Sequence, residues 1–199
     1  MTLWYRLLGE TVYRRVLIFE RALASPAHDL ETGIPVTVAS LTESEIGDYC
    51  AFRPEEDPAD TAIRMAQGHR YFAARHDGSI VSGGWLGIGR ANLPYLNGEI
   101  LLGDGDIYAY SFYTSPEFRH FNLSMALTKA YVEHFLACGY TRSIAAVMPE
   151  NPAGMRAVEK RGLRRAGEIG YIKFGPWRYD FCRTAAGSLP VGWRPLAKR

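Results

Sequence analysis

Residues 115–124, "SPEFRHFNLS", set Arg119, His120, Asn122 and Ser124 between an aromatic run, "DIYAYSFY", and a helical run, "LSMALTKAYVEHFL". A strand-to-helix turn of this kind can bind an anion. The first N–H groups of a helix lack partners, and the helix dipole makes that end positive. Such turns usually use glycine to bring the backbone close to the anion, and this one contains none. Asn122 is the next-best residue for a left-handed conformation. Ser124 is small, and Arg119 and His120 add charge. The competing reading is an ordinary helix start with Asn122 as its N-cap.

Other chemistry finds little support. Five histidines, at 28, 69, 76, 120 and 134, show no metal-ligand spacing, so no metal is expected. Ser111 and Ser115 lack the Gly-x-Ser-x-Gly pattern of an activated serine. "GIGRAN" does not open a helix and is no dinucleotide fingerprint. A net charge of +2 with scattered basic residues gives no stripe for nucleic acid. Three widely spaced cysteines suggest neither a disulfide framework nor a zinc site, and point to a reducing cytoplasm. No apolar run is long enough to span a membrane. At 47% hydrophobic and 22% charged, 199 residues suit one ordinary domain.

The elements that must hold the turn can be read from their punctuation. Trp4, Leu8, Val12, Val16, Phe19 and Leu23 recur at helical spacing. They predict an N-terminal amphipathic helix, which with a polar linker occupies 1–35. The helix packs on the domain or on a second copy in a homodimer; the alternative is a membrane surface. "VTVAS" reads as a strand. Thr42 with Glu45 forms a capping box, and Asp57 followed by Pro58 starts a second helix. Asp77-Gly78 between alternating runs marks a hairpin. Residues 94–102 are an edge strand or a long loop. The strand 106–114, a helix over 123–138 ended by Gly139, a strand over 141–149, an Asn151-capped helix over 151–162 and two last strands follow. Residues 184–199 form a basic tail. The order predicts an α/β fold, a mixed and mostly antiparallel sheet with helices on both faces. Along 106–114 the period of two places Asp106, Tyr108, Tyr110 and Phe112 on one face.

This order, with "YTSPEFRHFNLSMAL", "GYTRSIAAV" and "NPAGMRAVEKRGL", resembles the GCN5-related N-acetyltransferase superfamily, over roughly residues 36–183. The resemblance implies a domain spanning 36–183 that uses acetyl-coenzyme A or another acyl-coenzyme A. It implies a loop that cradles the pyrophosphate, here Arg119, His120, Phe121, Asn122, Leu123 and Ser124. Asn151 matches the cofactor-side asparagine of the following helix. The backbone of Phe112, Tyr113 and Thr114 faces the thioester carbonyl. A branch of the family has a glutamate base at the position of Tyr108; from the shared strand face Asp106 is a candidate base, directly or through water, and Tyr108 or Tyr110 an acid or substrate ligand. The family often carries a proton-donating tyrosine where this chain has Val158. The expected activity is acyl transfer, by direct attack, to an amine of a small molecule or sugar. The alternatives are a non-catalytic binding module and a longer-chain acyltransferase at a membrane surface.

Overall fold

A computed structural model describes residues 13–25, 31–186, 188 and 192–196. Its frame is an eight-stranded sheet in the order β10-β9-β1-β8-β7-β4-β3-β2. The strands are β1 Tyr13–Ala22, β2 Thr37–Ser40, β3 Arg70–His76, β4 Ser79–Gly87, β7 Asp106–Thr114, β8 Arg142–Val147, β9 Arg164–Phe174 and β10 Trp177–Thr184. Every neighbouring pair is antiparallel except β7 with β8. β5 Arg90–Leu93, β6 Gly98–Leu101 and β11 Gly192–Pro195 form a second, three-stranded sheet. The helices are α1 Ile46–Phe52, α2 Pro58–Ala66, α3 Leu123–Ala137 and α4 Pro152–Lys160.

The local signals act as their chemistry requires. The Glu45 carboxylate accepts from the Thr42 N–H at 2.8 Å, and Asp57 accepts from the N–H groups of Ala59 and Asp60. Asp77 and Gly78 both take positive φ, 48° and 81°, as a tight hairpin between β3 and β4 demands.

The two faces of the sheet are covered differently. On one, Leu127, Tyr131 and Phe135 of α3 pack on Phe72, Leu86, Ile107 and Ala109, and Val158 of α4 packs on Leu17, Phe19 and Ala145. On the other, Tyr49 of α1 and Met65 of α2 pack on Tyr71 and Trp85, while Leu93 and Ile100 from the second sheet and Leu96 from the turn between β5 and β6 cover Val16, Ile18 and Tyr108.

Two expectations are corrected. Residues 13–22 are a strand, not part of a helix, and β1 is inserted between β8 and β9. Val16, Leu17, Ile18 and Phe19 are all buried because each alternates into one of the two cores. The helical spacing of Val16, Phe19 and Leu23 is thus a coincidence within a run buried on both faces. Residues 1–12 and 26–30 of the expected helix and linker lie outside the described residues. The expected tail also contributes structure, since β11 pairs with β6. Of the two readings of residues 94–102 the strand is the nearer: they form a 3₁₀ turn and β6, which lies between β11 and β5 rather than at an edge.

Candidate active site

β7 and β8 run parallel only from Asp106↔Arg142 to Tyr108↔Ile144. Beyond that they part, β7 staying with β4 and β8 with β1. Two parallel strands that separate leave a wedge whose walls keep unpaired backbone groups. α3 and α4 border this wedge, and a cleft of about 540 Å³ lies there. Phe112, Tyr113, Thr114, Arg119, His120, Asn122, Leu123, Ser124 and Asn151 all line it. Phe121, expected with them, does not; its carbonyl accepts from Gly33 and its ring lies against that glycine.

The glycine-free loop reaches its shape with two left-handed residues, His120 (φ 79°) and Asn122 (φ 57°). Asn122 precedes α3 but its side chain does not cap the helix. Instead its amide donates to the Glu31 carbonyl at 3.1 Å, and its oxygen accepts from Lys160 at 2.9 Å. The start of α3 therefore faces the cleft without a side-chain acceptor, with Ser124 at its rim. Arg119 is steadied by donating to the Thr114 carbonyl. Asn151 is an N-cap, accepting from Gly154 N–H at 2.8 Å. Among the described residues the cleft is lined by Arg119, His120, Lys160 and Arg161 and by no carboxylate.

Ser111, which attracted no notice as a backbone position, has φ 51°. The register with β4 jumps there, from Gly83↔Tyr113 to Trp85↔Tyr110, so β7 carries one extra residue. Such a bulge reverses the side-chain alternation. Tyr108 and Tyr110 stay on the α1–α2 face, while Phe112 turns to the α3 face and packs on Tyr131. The expectation that Phe112 shares a face with the tyrosines is therefore wrong. The signal was the pair Gly83-Gly84 inside β4. A Cβ on Gly84 would meet the Phe112 ring, and one on Gly83 the Tyr71 ring.

On the other face of the sheet the bulge borders a second cavity of about 420 Å³. Tyr110, Ser111, His69, Arg64, Arg90 and Glu99 are among its walls. Tyr110 and His69 Nδ1 are 2.6 Å apart. Burial holds the imidazole below its ordinary pKa, opposed by a hydrogen bond to the Arg90 backbone. That bond favours a ring N–H toward Arg90 and leaves Nδ1 to accept the Tyr110 proton. Burial pushes the Tyr110 phenol well up, so it stays protonated. His69 was missed because it lies thirty-odd positions from the strand that it serves.

The other two candidates are elsewhere. Asp106 starts β7, 7% exposed, and its carboxylate accepts from Arg142 at 2.6 and 2.7 Å and from Gly103 N–H at 3.0 Å. Glu20 also meets Arg142, at 3.2 Å. Asp106 lines neither cavity and serves to join β7 to β8. Tyr108 is 3% exposed among core residues and stacks on Tyr110, and burial raises its phenol. Among the described residues no group of side chains suits a metal, and no helix is long and apolar enough to cross a membrane.

With this geometry, the model of the acetyltransferase (GNAT) family matches residues 38–163. The chain therefore belongs to that family. Solved structures share the fold. A GNAT-family acetyltransferase from Novosphingobium aromaticivorans is 16% identical over 79% of this chain, with a TM-score of 0.54. This chain spans 63% of that protein's length. The aminoglycoside 6'-N-acetyltransferase AAC(6')-Ih from Acinetobacter baumannii is 14% identical over 65% of this chain and 91% of its own, TM-score 0.54. An aminoglycoside N-acetyltransferase, AAC(6')-Iy, in complex with coenzyme A is 15% identical over 64% and 91%, TM-score 0.53. No curated protein matches the sequence.

Proposed function

We propose that the chain transfers an acyl group from coenzyme A in the α3–α4 cleft to a small amine in the Tyr110 cavity, by direct attack through the β7 bulge. One observation carries this reading: the two cavities lie on opposite faces of the sheet and are lined by consecutive residues of β7, Tyr110 and Ser111 in one and Phe112 in the other.

The residues fit such a donor. The open N-terminus of α3 with Arg119, His120 and Lys160 suits a pyrophosphate. The parted edge of β7 suits the extended arm that leads to the thioester. At the bulge, backbone left out of the ladder can donate to the carbonyl oxygen as charge builds on it.

On the acceptor side, the Tyr110 oxygen takes a proton from the attacking nitrogen while its own passes to His69 Nδ1. The amine nitrogen bonds to the carbonyl carbon, the carbon–sulfur bond breaks, and the thiolate takes a proton from solvent in the open cleft. Val158 is 3% exposed in the core and donates nothing. The cavity brings Arg64, paired with Glu56 at 2.8 Å, and Arg90 together with one carboxylate, Glu99, already held by Arg194 at 2.7 Å, which leaves Arg90 as the charge in its lining with no ion pair among the described residues. That balance favours a neutral, hydroxylated or acidic amine, such as an amino sugar, over a polycation.

The test is thiol release from acyl-coenzyme A with a panel of small amines. Tyr110→Phe should lower kcat by at least about a hundredfold, the lower end for general acid–base catalysis. No turnover with any amine, or full turnover by Tyr110→Phe, counts against the reading.

A further inference from the structure

Arg161 is a buried cation with no ion-pair partner among the described residues. It follows α4, is 4% exposed, and lines the donor cleft. Its Nε donates weakly to the Ala157 carbonyl, 3.3 Å away, and its Nη1 has no hydrogen-bond partner among the described residues. The guanidinium carbon lies over the Phe112 ring, 4.2 Å from its centre. Tyr131 packs on the same ring, and its hydroxyl too is buried without a partner. The end of a helix attracts a cation, which accounts for an arginine near this place. It does not account for one turned inward and stripped of water, because a desolvated charge normally keeps an anion beside it.

The position says which anion. The pyrophosphate end of the cleft is the start of α3, where Lys160 reaches Asn122. Tyr131 stands eight residues further along α3, about 12 Å deeper. Phe112, beneath the guanidinium, directly follows the bulge residue Ser111. Arg161 thus lies at the acyl end of the cleft, not the phosphate end.

We propose that Arg161 selects a donor whose acyl group ends in a carboxylate, a four- or five-carbon dicarboxylic thioester of coenzyme A. This rests on the cleft being the donor site. The guanidinium pairs with the distal carboxylate, with the Tyr131 hydroxyl as a second donor. The transfer is unchanged: the amine nitrogen gains the acyl carbon, its proton leaves by Tyr110, and coenzyme A leaves as the thiol. The carboxylate remains as a free, charged end of the amide product.

Titration calorimetry on the full chain with free coenzyme A, butyryl-coenzyme A and succinyl-coenzyme A tests this. The two thioesters have the same carbon count and differ in the terminal carboxylate. The wild type should bind the succinyl thioester at least tenfold more tightly than the butyryl one. Arg161→Met should abolish that preference and leave free coenzyme A within twofold; Arg161→Lys should keep part of it. Equal affinity of the wild type for both thioesters overturns the proposal without needing any variant to fold. Equal loss of free and succinyl-coenzyme A binding in Arg161→Met overturns it as well, by assigning Arg161 to a phosphate. Absence of binding by free coenzyme A to the wild type overturns the donor-site reading itself, and this proposal with it.

Discussion

Asp106→Asn separates a structural carboxylate from a catalytic one. Asp106 and Arg142 are each about a tenth exposed and share two short hydrogen bonds, 2.6 and 2.7 Å. Stranding a buried charge costs about 3–5 kcal/mol. Here Arg142 keeps Glu20 at 3.2 Å, and asparagine keeps one acceptor oxygen, so about 2–3 kcal/mol is the expected loss. At about 2–4 °C per kcal/mol for a chain of this size, Tm falls by about 4–12 °C. The substitution touches the first pair of the β7–β8 ladder, away from the bulge, so the folded fraction keeps its turnover. Calorimetric melting and thiol-release kinetics, the latter well below the variant's Tm, measure both quantities. An unchanged Tm with kcat reduced a hundredfold would refute the structural assignment and restore Asp106 as a base.

Other outcomes follow from the same geometry. His69 must be neutral to accept a proton, and burial holds its pKa below 6.5; kcat/KM should fall only on the acid side, with its midpoint below pH 6.5, and His69→Asn should remove that limb. The unfolded chain binds that proton more readily than the folded one, so His69 favours folding above pH 6.5 and this contribution diminishes as pH drops; His69→Asn should flatten that part of a Tm-against-pH profile. Gly84→Ala places a methyl against the Phe112 ring, and should lower stability by about 1–3 kcal/mol in denaturant unfolding while raising KM for the thioester. Asn122→Gly relieves a left-handed residue but frees Lys160 from its side-chain oxygen; stability should stay within about 1 kcal/mol, and affinity for coenzyme A should rise.

Much of the frame was legible because local chemistry wrote it. Capping at Thr42, Asp57 and Asn151, the Asp77-Gly78 turn and the helix-ending Gly139 mark boundaries without reference to the rest of the chain. The loop was legible too, since Asn122 takes the backbone conformation for which its type was singled out. What failed depended on partners distant in sequence. β1 reads as a helix because a strand buried on both faces loses its alternation, and only pairing with β8 and β9 decides it. Phe112 was assigned to the wrong face because a period-two count cannot see a bulge. Asp106 resembled a base because its neutralising arginine comes 36 positions later. His69 and Arg161 matter only through Tyr110 and Phe112, which the fold brings to them.

The central claim is that the cleft between the parted strands holds coenzyme A by the start of α3. Calorimetric titration of free coenzyme A into the wild type and into an Arg119→Ala/Lys160→Ala variant tests it most directly. One molecule should bind per chain, and the double variant should bind at least about tenfold more weakly, since hydrogen bonds to charged groups contribute about 1.5–3 kcal/mol each. No binding by the wild type, or the same affinity in both proteins, would contradict the account.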